Sequence, residues 1–317
     1  MPSDPAARHF RVERLAPGVH AAVAVTTGAA LANSGIVDLG GATLVFDSTL
    51  TPRTGRLLAR TAERLTGRPP AFVVNSHYHG DHIWGNGAFV GAHVVSTRTV
   101  RSNVIARSRG QFRSMRREVR HELPHLGRPR WPIERADVPQ LRAWFRAVRD
   151  APVDLPIVPP DVTFTDELVL EGSRRAVHLL SYGGGHSPSD VFAYLPDERI
   201  AFVGDLALEG YHLSVGDGYP AEWVRILDRL GRLRLRTVLP GHGPVGTDRT
   251  IDHAARYLGD LLTLARRARA WRTPSREFVR TPIPERYRSL RFTLMFPENL
   301  RRVYASLGVA GRRRSSK

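Results

Sequence analysis

The chain has 317 residues, 42% of them hydrophobic, which excludes a fibrous or disordered protein and sits near the upper size that one core supports. It has no cysteine, so disulfides, cysteine nucleophiles and thiolate metal sites are excluded, and a metal could be held only by His and carboxylates. Its net charge is +17, with Lys317 the only lysine among 47 basic side chains. An arginine bias spread over the whole chain is not the localised stripe that nucleic-acid binding produces.

Strands are expected at 19–25 and 41–48, where small and β-branched residues cluster. Leu57, Leu58, Thr61, Ala62 and Leu65 then share a helical face, ended by Gly67 and the Pro69–Pro70 pair. The apolar run 71–75 predicts a strand covered on both faces, followed by the loop SHYHGDH and a strand at 91–97. Residues 100–150 read as a helical, arginine-rich insertion or lid holding Trp131, Trp144 and Phe145; their acidic residues suit a solvated helical face. Beyond it, 162–166 and 167–172 suggest a hairpin, with further strands at 176–182, VFAYL and 200–205. A helix is expected at 220–233, a strand running into a loop at 236–243, and a helical extension over about 255–317. Strands, helix and motif loop thus appear twice, predicting an α/β (α+β) fold. Its form would be a four-layer αββα sandwich over 1–317 as one domain with a helical insertion. No apolar run approaches bilayer length, and residues 1–21 lack a secretory core; a cytoplasmic location with no membrane partner is the expectation.

The decisive segment is His77-Tyr78-His79-Gly80-Asp81-His82. Following a strand, His77 and His79 can turn to one side, while Asp81 and His82 from the next turn reach a second point nearby. Four metal-competent side chains in six residues are hard to explain without a metal. In this position HYHGDH resembles the HxHxDH signature of the metallo-β-lactamase superfamily. Later strand ends carry matching contexts: His186 in GGGHSPSD, Asp205 in AFVGD and His242 in LPGHG. A lone His is more often structural, so His186 and His242 gain weight only beside the first motif.

The resemblance implies that His77, His79 and His186 hold one metal, Asp81, His82 and His242 a second, and that Asp205 bridges them. It implies a dinuclear hydrolase of a small-molecule ester, thioester or lactone, similar to the glyoxalase II and general hydrolase branches. The attacking group would be a metal-bridging hydroxide, with Asp81 orienting it as the catalytic carboxylate. Zn(II) is the first expectation for the two divalent ions, with Fe(II) or Mn(II) admitted by the nitrogen and oxygen ligands. Two alternatives share the motif: a phosphodiesterase or nuclease acting on RNA or DNA, and a mononuclear-iron sulfur dioxygenase.

Other residues carry weaker expectations. Asp47, at the end of its strand, is placed to accept from a ligating imidazole, although a turn residue would look the same. Asp190 reads as an Asx-type turn or a support for the His186 loop. Tyr211 and His212 are either substrate contacts or an exposed loop. The triple glycine 183–185 lacks the lysine of a phosphate loop and is expected to let backbone approach the metal centre. No G-x-S-x-G elbow accompanies Ser187 and Ser189, so a serine hydrolase is rejected.

Overall fold

The structure, a computed structural model, describes residues 4–127 and 133–314; Trp131 and Lys317 lie outside them. A first sheet of seven strands runs in chain order. It comprises β1 (Phe10–Ala16), β2 (Val19–Ala24), β3 (Ser34–Asp38), β4 (Thr43–Phe46), β5 (Pro70–Val74), β6 (His93–Thr97) and β7 (Val162–Phe164). The first four strands pair antiparallel and the last three steps are parallel. A second sheet contains β8 (Glu167–Glu171), β9 (Ala176–Ser181), β10 (Val191–Leu195), β11 (Ile200–Gly204) and β12 (Thr237–Pro240), with only β11–β12 parallel.

Each parallel step needs a crossover, and the crossovers are the helices. Helix α1 (Pro52–Thr66) joins β4 to β5, and a short turn of helix, α2 (Gly80–Ile83), follows β5. Helices α3 (Arg98–Asn103), α4 (Arg109–Glu122) and α5 (Val138–Asp150) lie between β6 and β7, with one π turn at Val104–Ser108. The arginine-rich insertion is therefore the connection between two adjacent parallel strands. Helix α6 (Pro220–Gly231) joins β11 to β12, and α7 (Asp248–Ala270), α8 (Ser275–Phe278) and α9 (Met295–Arg314) follow.

Local chemistry sets these bounds. Thr51 caps α1 in a reciprocal pair with Thr54, Pro52 starts its first turn, and Gly67 ends it at φ 78°. Along β4, Leu44 and Phe46 face the other sheet while Val45 faces Leu58 and Ala62 of α1. Phe46 meets Phe202 of β11 with ring centroids 5.9 Å apart, inside the core between the sheets. On the far side, Trp223 and Leu227 of α6 and Leu258 and Leu261 of α7 cover Phe192, Ala201 and Val203. Each fully buried side chain of this size contributes about 1.5–3 kcal/mol before entropy is subtracted. The result is the expected αββα layering.

One expectation fails. β7 and β8 do not form a hairpin: β7 pairs with β6 in the first sheet and β8 with β9 in the second. The turn between them is where the chain changes sheets, which alternation within two short strands cannot reveal. Strands β1 and β3 were also missed, because charged residues break up the first and a glycine weakens the second. No helix among the described residues is long and apolar enough to cross a membrane.

Candidate metal centre

The seven residues come together at one rim of the two sheets, largely at strand C-terminal ends. His77–His82 follow β5, Asp205 follows β11, His242 follows β12, and His186 sits between β9 and β10. Three overlapping trios could each hold an ion, with ligand atoms within 4.8 Å of one another: His77/His79/His186, His77/His82/Asp205 and Asp81/His82/His242. Asp205 lies between groups: Oδ1 is 3.3 Å from His82 Nε2 and 3.5 Å from His242 Nε2, while Oδ2 is 3.6 Å from His186 Nε2. Asp81 Oδ2 is 3.3 Å from His242 Nε2.

The outward nitrogen of every imidazole has a partner. His186 Nδ1 donates to the Ser214 carbonyl and His242 Nδ1 to the Leu31 carbonyl, both at 3.0 Å. His82 Nδ1 lies 2.7 Å from Asp47 Oδ2, and His79 Nε2 lies 3.1 Å from Asp217 Oδ2. Ser76 donates its hydroxyl to Asp47, leaving an oxygen lone pair for His77 Nδ1 at 2.9 Å. Carbonyls only accept, and so do ionised carboxylates, so the protons belong on the outer nitrogens and the lone pairs face inward. His79 Nδ1 and His186 Nε2 then oppose one another at 3.0 Å, two acceptors that need a cation between them. His77 Nε2, His82 Nε2 and Asp205 Oδ1 are buried with no hydrogen-bond partner, a cost that a metal would remove. The donor set therefore fits divalent cations that accept nitrogen and oxygen ligands.

Charge tells the same story. Burial lowers the His77 pKa well below its ordinary value and takes His186 to about 4. Burial opposes protonation of His82 and His242 too. The neighbouring carboxylates overcome it, raising His82 well above its ordinary value and His242 to about 10. Carboxylates that favour positive charge here would favour divalent cations in the same place.

The supports are partly as expected. Asp47 does hold a site imidazole, and it sits at φ 60°, a left-handed conformation that Asp tolerates better than most residues. Asp190 Oδ2 accepts from the Gly185 and Ser187 amides at 2.8 and 3.1 Å, so it both makes the turn and shapes the His186 loop. The triple glycine serves another contact than expected: a Cβ on Gly185 would meet Leu206, Ile226 and Trp223 at 2.9–3.3 Å, so the close approach is to Leu206 just after β11 and to α6. A Cβ on Gly80 would enter the Trp84 indole.

Two supports escaped the sequence reading. Asp217 reaches His79 from a distant loop, with no motif to mark it. Asn33 donates to the carbonyls of Pro240 and Gly243 at 2.9 and 2.8 Å, clamping the His242 loop. Among the described residues, no other histidine joins the three trios.

Above the cluster is a cavity of about 440 Å³. Trp84, Met115, Trp144, Leu208 and Phe292 supply apolar wall, and Gln111, Gln140 and Tyr211 are among its polar groups. Tyr211 and His212 both line it, and His212 is buried rather than in an exposed loop. Tyr257 accepts from Asn299 at 3.0 Å, which leaves its O–H for His212 Nδ1 at 2.9 Å and assigns the His212 proton to Nε2. None of the arginines of α4 lines this cavity.

A model of the metallo-β-lactamase superfamily matches residues 27–242. The chain is 28% identical over 108 residues to the metallo-β-lactamase type 2 of Bacteroides fragilis, covering 32% of this chain and 43% of that protein. It is 23% identical over 236 residues to the linear primary-alkylsulfatase of Pseudomonas sp. (strain ATCC 19151), covering 69% of this chain and 43% of that protein. The matches thus span less than half of each curated relative. Among solved structures, the metallo-β-lactamase from Pontibacter korlensis superposes with a TM-score of 0.58 at 19% identity, over 79% of this chain and 99% of that one. The metallo-β-lactamase from Erythrobacter litoralis gives 0.56 at 16% identity, over 80% and 97%. At these identities the structures speak to the fold alone.

Proposed function

The chain belongs to the metallo-β-lactamase superfamily, and we propose that within it the protein is a metal-dependent hydrolase of esters, thioesters or lactones with an apolar acyl part. His77, His79 and His186 would hold one divalent cation and Asp81, His82 and His242 a second, with Asp205 shared; Zn(II) is the first choice, Fe(II) or Mn(II) the next. Such cations, when bound, polarise an acyl oxygen and make water acidic enough to act near neutrality.

The chain's own residues supply the rest. Asp81 lines the cavity and would accept a hydrogen bond from the water and orient it toward the acyl carbon. Asp217, Asp47 and the carbonyls of Ser214 and Leu31 fix the imidazole rings. Trp84, Met115, Trp144 and Phe292 take the apolar part of the substrate and exclude bulk water. His212 Nε2–H offers a neutral donor near that wall.

The observation that carries the acyl reading is the cavity's composition: apolar walls over the cluster and, among the described residues, no arginine in its lining. A phosphodiester backbone would call for cationic contacts, so the nuclease alternative loses support. A second reading, cleavage of a sulfate ester of an apolar alcohol, is favoured by the 236-residue match to an alkylsulfatase.

The test is turnover by Zn- and Mn-reconstituted protein of an acyl thioester, a lactone, a long-chain alkyl sulfate and a phosphodiester, with oxygen uptake followed in parallel. Thioester or lactone hydrolysis that a chelator abolishes and metal restores is the expected result. Turnover of the phosphodiester alone, or oxygen consumption with a thiol substrate, would replace this reading.

A further inference from the structure

The outer side of α4 borders a second cavity of about 470 Å³. Arg109, Arg113, Arg116, Arg117 and Arg120 line it, and Asp154 is the one acidic residue among its described lining. Phe112, Leu155 and Ile157 give it an apolar wall. Arg116 donates to the Ala151 carbonyl. The other four arginines make no ion pair or side-chain hydrogen bond among the described residues, and all four are exposed. Five guanidinium groups around one concavity repel each other, and an anion there would remove that cost.

We propose that this cavity binds the phosphorylated nucleotide end of an acyl-thioester carrier whose reactive end reaches the metal cavity, an inference that rests on the acyl-hydrolase reading. Three features select this ligand. The arginines match several phosphates. The apolar wall suits a heterocyclic base, which a bare phosphate chain would not need. The third feature is the relation between the two cavities.

Helix α4 separates them. Gln111, Ser114, Met115 and Glu118 line the metal cavity while the arginines line the other. At 100° per residue these sets fall on opposite faces of the helix. Phe112 and Trp84 meet edge-on inside the partition, with centroids 5.1 Å apart. Ser114 and Glu118 are the exposed members of the metal-cavity set on this helix and mark its mouth, Ser114 about one turn before Arg117 and Glu118 directly after it. Half the circumference of a helix about 10–12 Å across is roughly 16–19 Å. A long flexible arm between nucleotide and thioester covers that path, whereas a compact ester does not reach both cavities.

The experiment has two readouts. Calorimetric titration of the metal-loaded protein with adenosine 3′,5′-bisphosphate reads the arginine cavity alone. Steady-state hydrolysis of one acyl group, carried either on coenzyme A or on truncated N-acetylcysteamine, reads its coupling to the metal cavity. The wild type is expected to bind the bisphosphate and to show a KM at least tenfold lower for the coenzyme A thioester. Arg113→Gln/Arg117→Gln, a pair of exposed changes, should weaken bisphosphate binding at least tenfold and erase the KM difference, with kcat unchanged. Absence of bisphosphate binding, binding unaltered in the double variant, or equal KM values in the wild type would overturn the proposal. Capture of a single-stranded oligonucleotide in preference to the bisphosphate would overturn it in favour of a nucleic-acid surface. If neither thioester is hydrolysed while the bisphosphate still binds and the double variant loses it, the acyl-hydrolase reading fails and the nucleotide site stands.

Discussion

Asp217 Oδ2 lies 3.1 Å from His79 Nε2, joining two residues 138 positions apart. The same oxygen accepts the Tyr78 hydroxyl. These contacts hold the Asp217 carboxyl well below the usual carboxylate range, the His79 bond contributing most, so it stays ionised at neutral pH. An ionised acceptor there keeps the His79 proton on Nε2 and turns Nδ1 toward the cluster. Asp217→Ala is expected to weaken metal binding by about 10–100-fold, with Asp217→Asn losing less. Competition with a chromogenic chelator measures this; wild-type affinity in the Ala variant would remove Asp217 from the site.

Gly241 is the position where backbone and site are closest. A Cβ there would stand 1.9 Å from Asp205 Oδ1, so Gly241→Ala must push the carboxylate out of place. The expected outcome is a folded protein, by circular dichroism, that retains under a tenth of the wild-type metal. Full metal content by elemental analysis would show that Asp205 is free to move.

How much of this was legible beforehand follows from distance along the chain. HYHGDH packs four candidate ligands into one loop, so local pattern reached those, whereas His186, Asp205 and His242 were reached only through the family resemblance, which their contexts near strand ends carry. Asp217 and Asn33 act only through folding, across 138 and more than 200 residues, and no local spacing announces them. The β7–β8 error has the same origin: alternation tells which face a strand buries but not which sheet it joins. The arginines of α4 carried no sign of which way they point, because residues 100–150 could be placed as helix but not oriented.

Trp84 both walls the metal cavity and packs on Phe112, and it is 2% exposed. Trp84→Ala should destabilise the protein by about 3–5 kcal/mol, read from urea unfolding. A change under 1 kcal/mol would mean α4 is not held by this contact.

His212 provides a pH test away from the cluster. Burial lowers its pKa to about 4 in the folded protein, against 6.5 as the ordinary value. The unfolded chain therefore binds more protons between those values, and stability is lost as pH falls from 6.5 through 4. His212→Gln should remove about 2 kcal/mol of that acid sensitivity, allowing for partial solvent screening. Parallel unfolding curves for both proteins at pH 7 and pH 4.5 decide it; an unchanged difference between the two pH values would place a charged His212 in the fold.

In the proposed enzyme, seven His and Asp side chains hold the two cations that acyl hydrolysis requires. Titrating the metal-free protein with Zn(II), while following bound metal and thioester or lactone turnover together, tests it most directly. Activity should rise with metal up to two equivalents, and both signals should collapse in His79→Ala and Asp205→Ala. Saturation at a single equivalent with full activity, or undiminished turnover in either variant, would contradict the account.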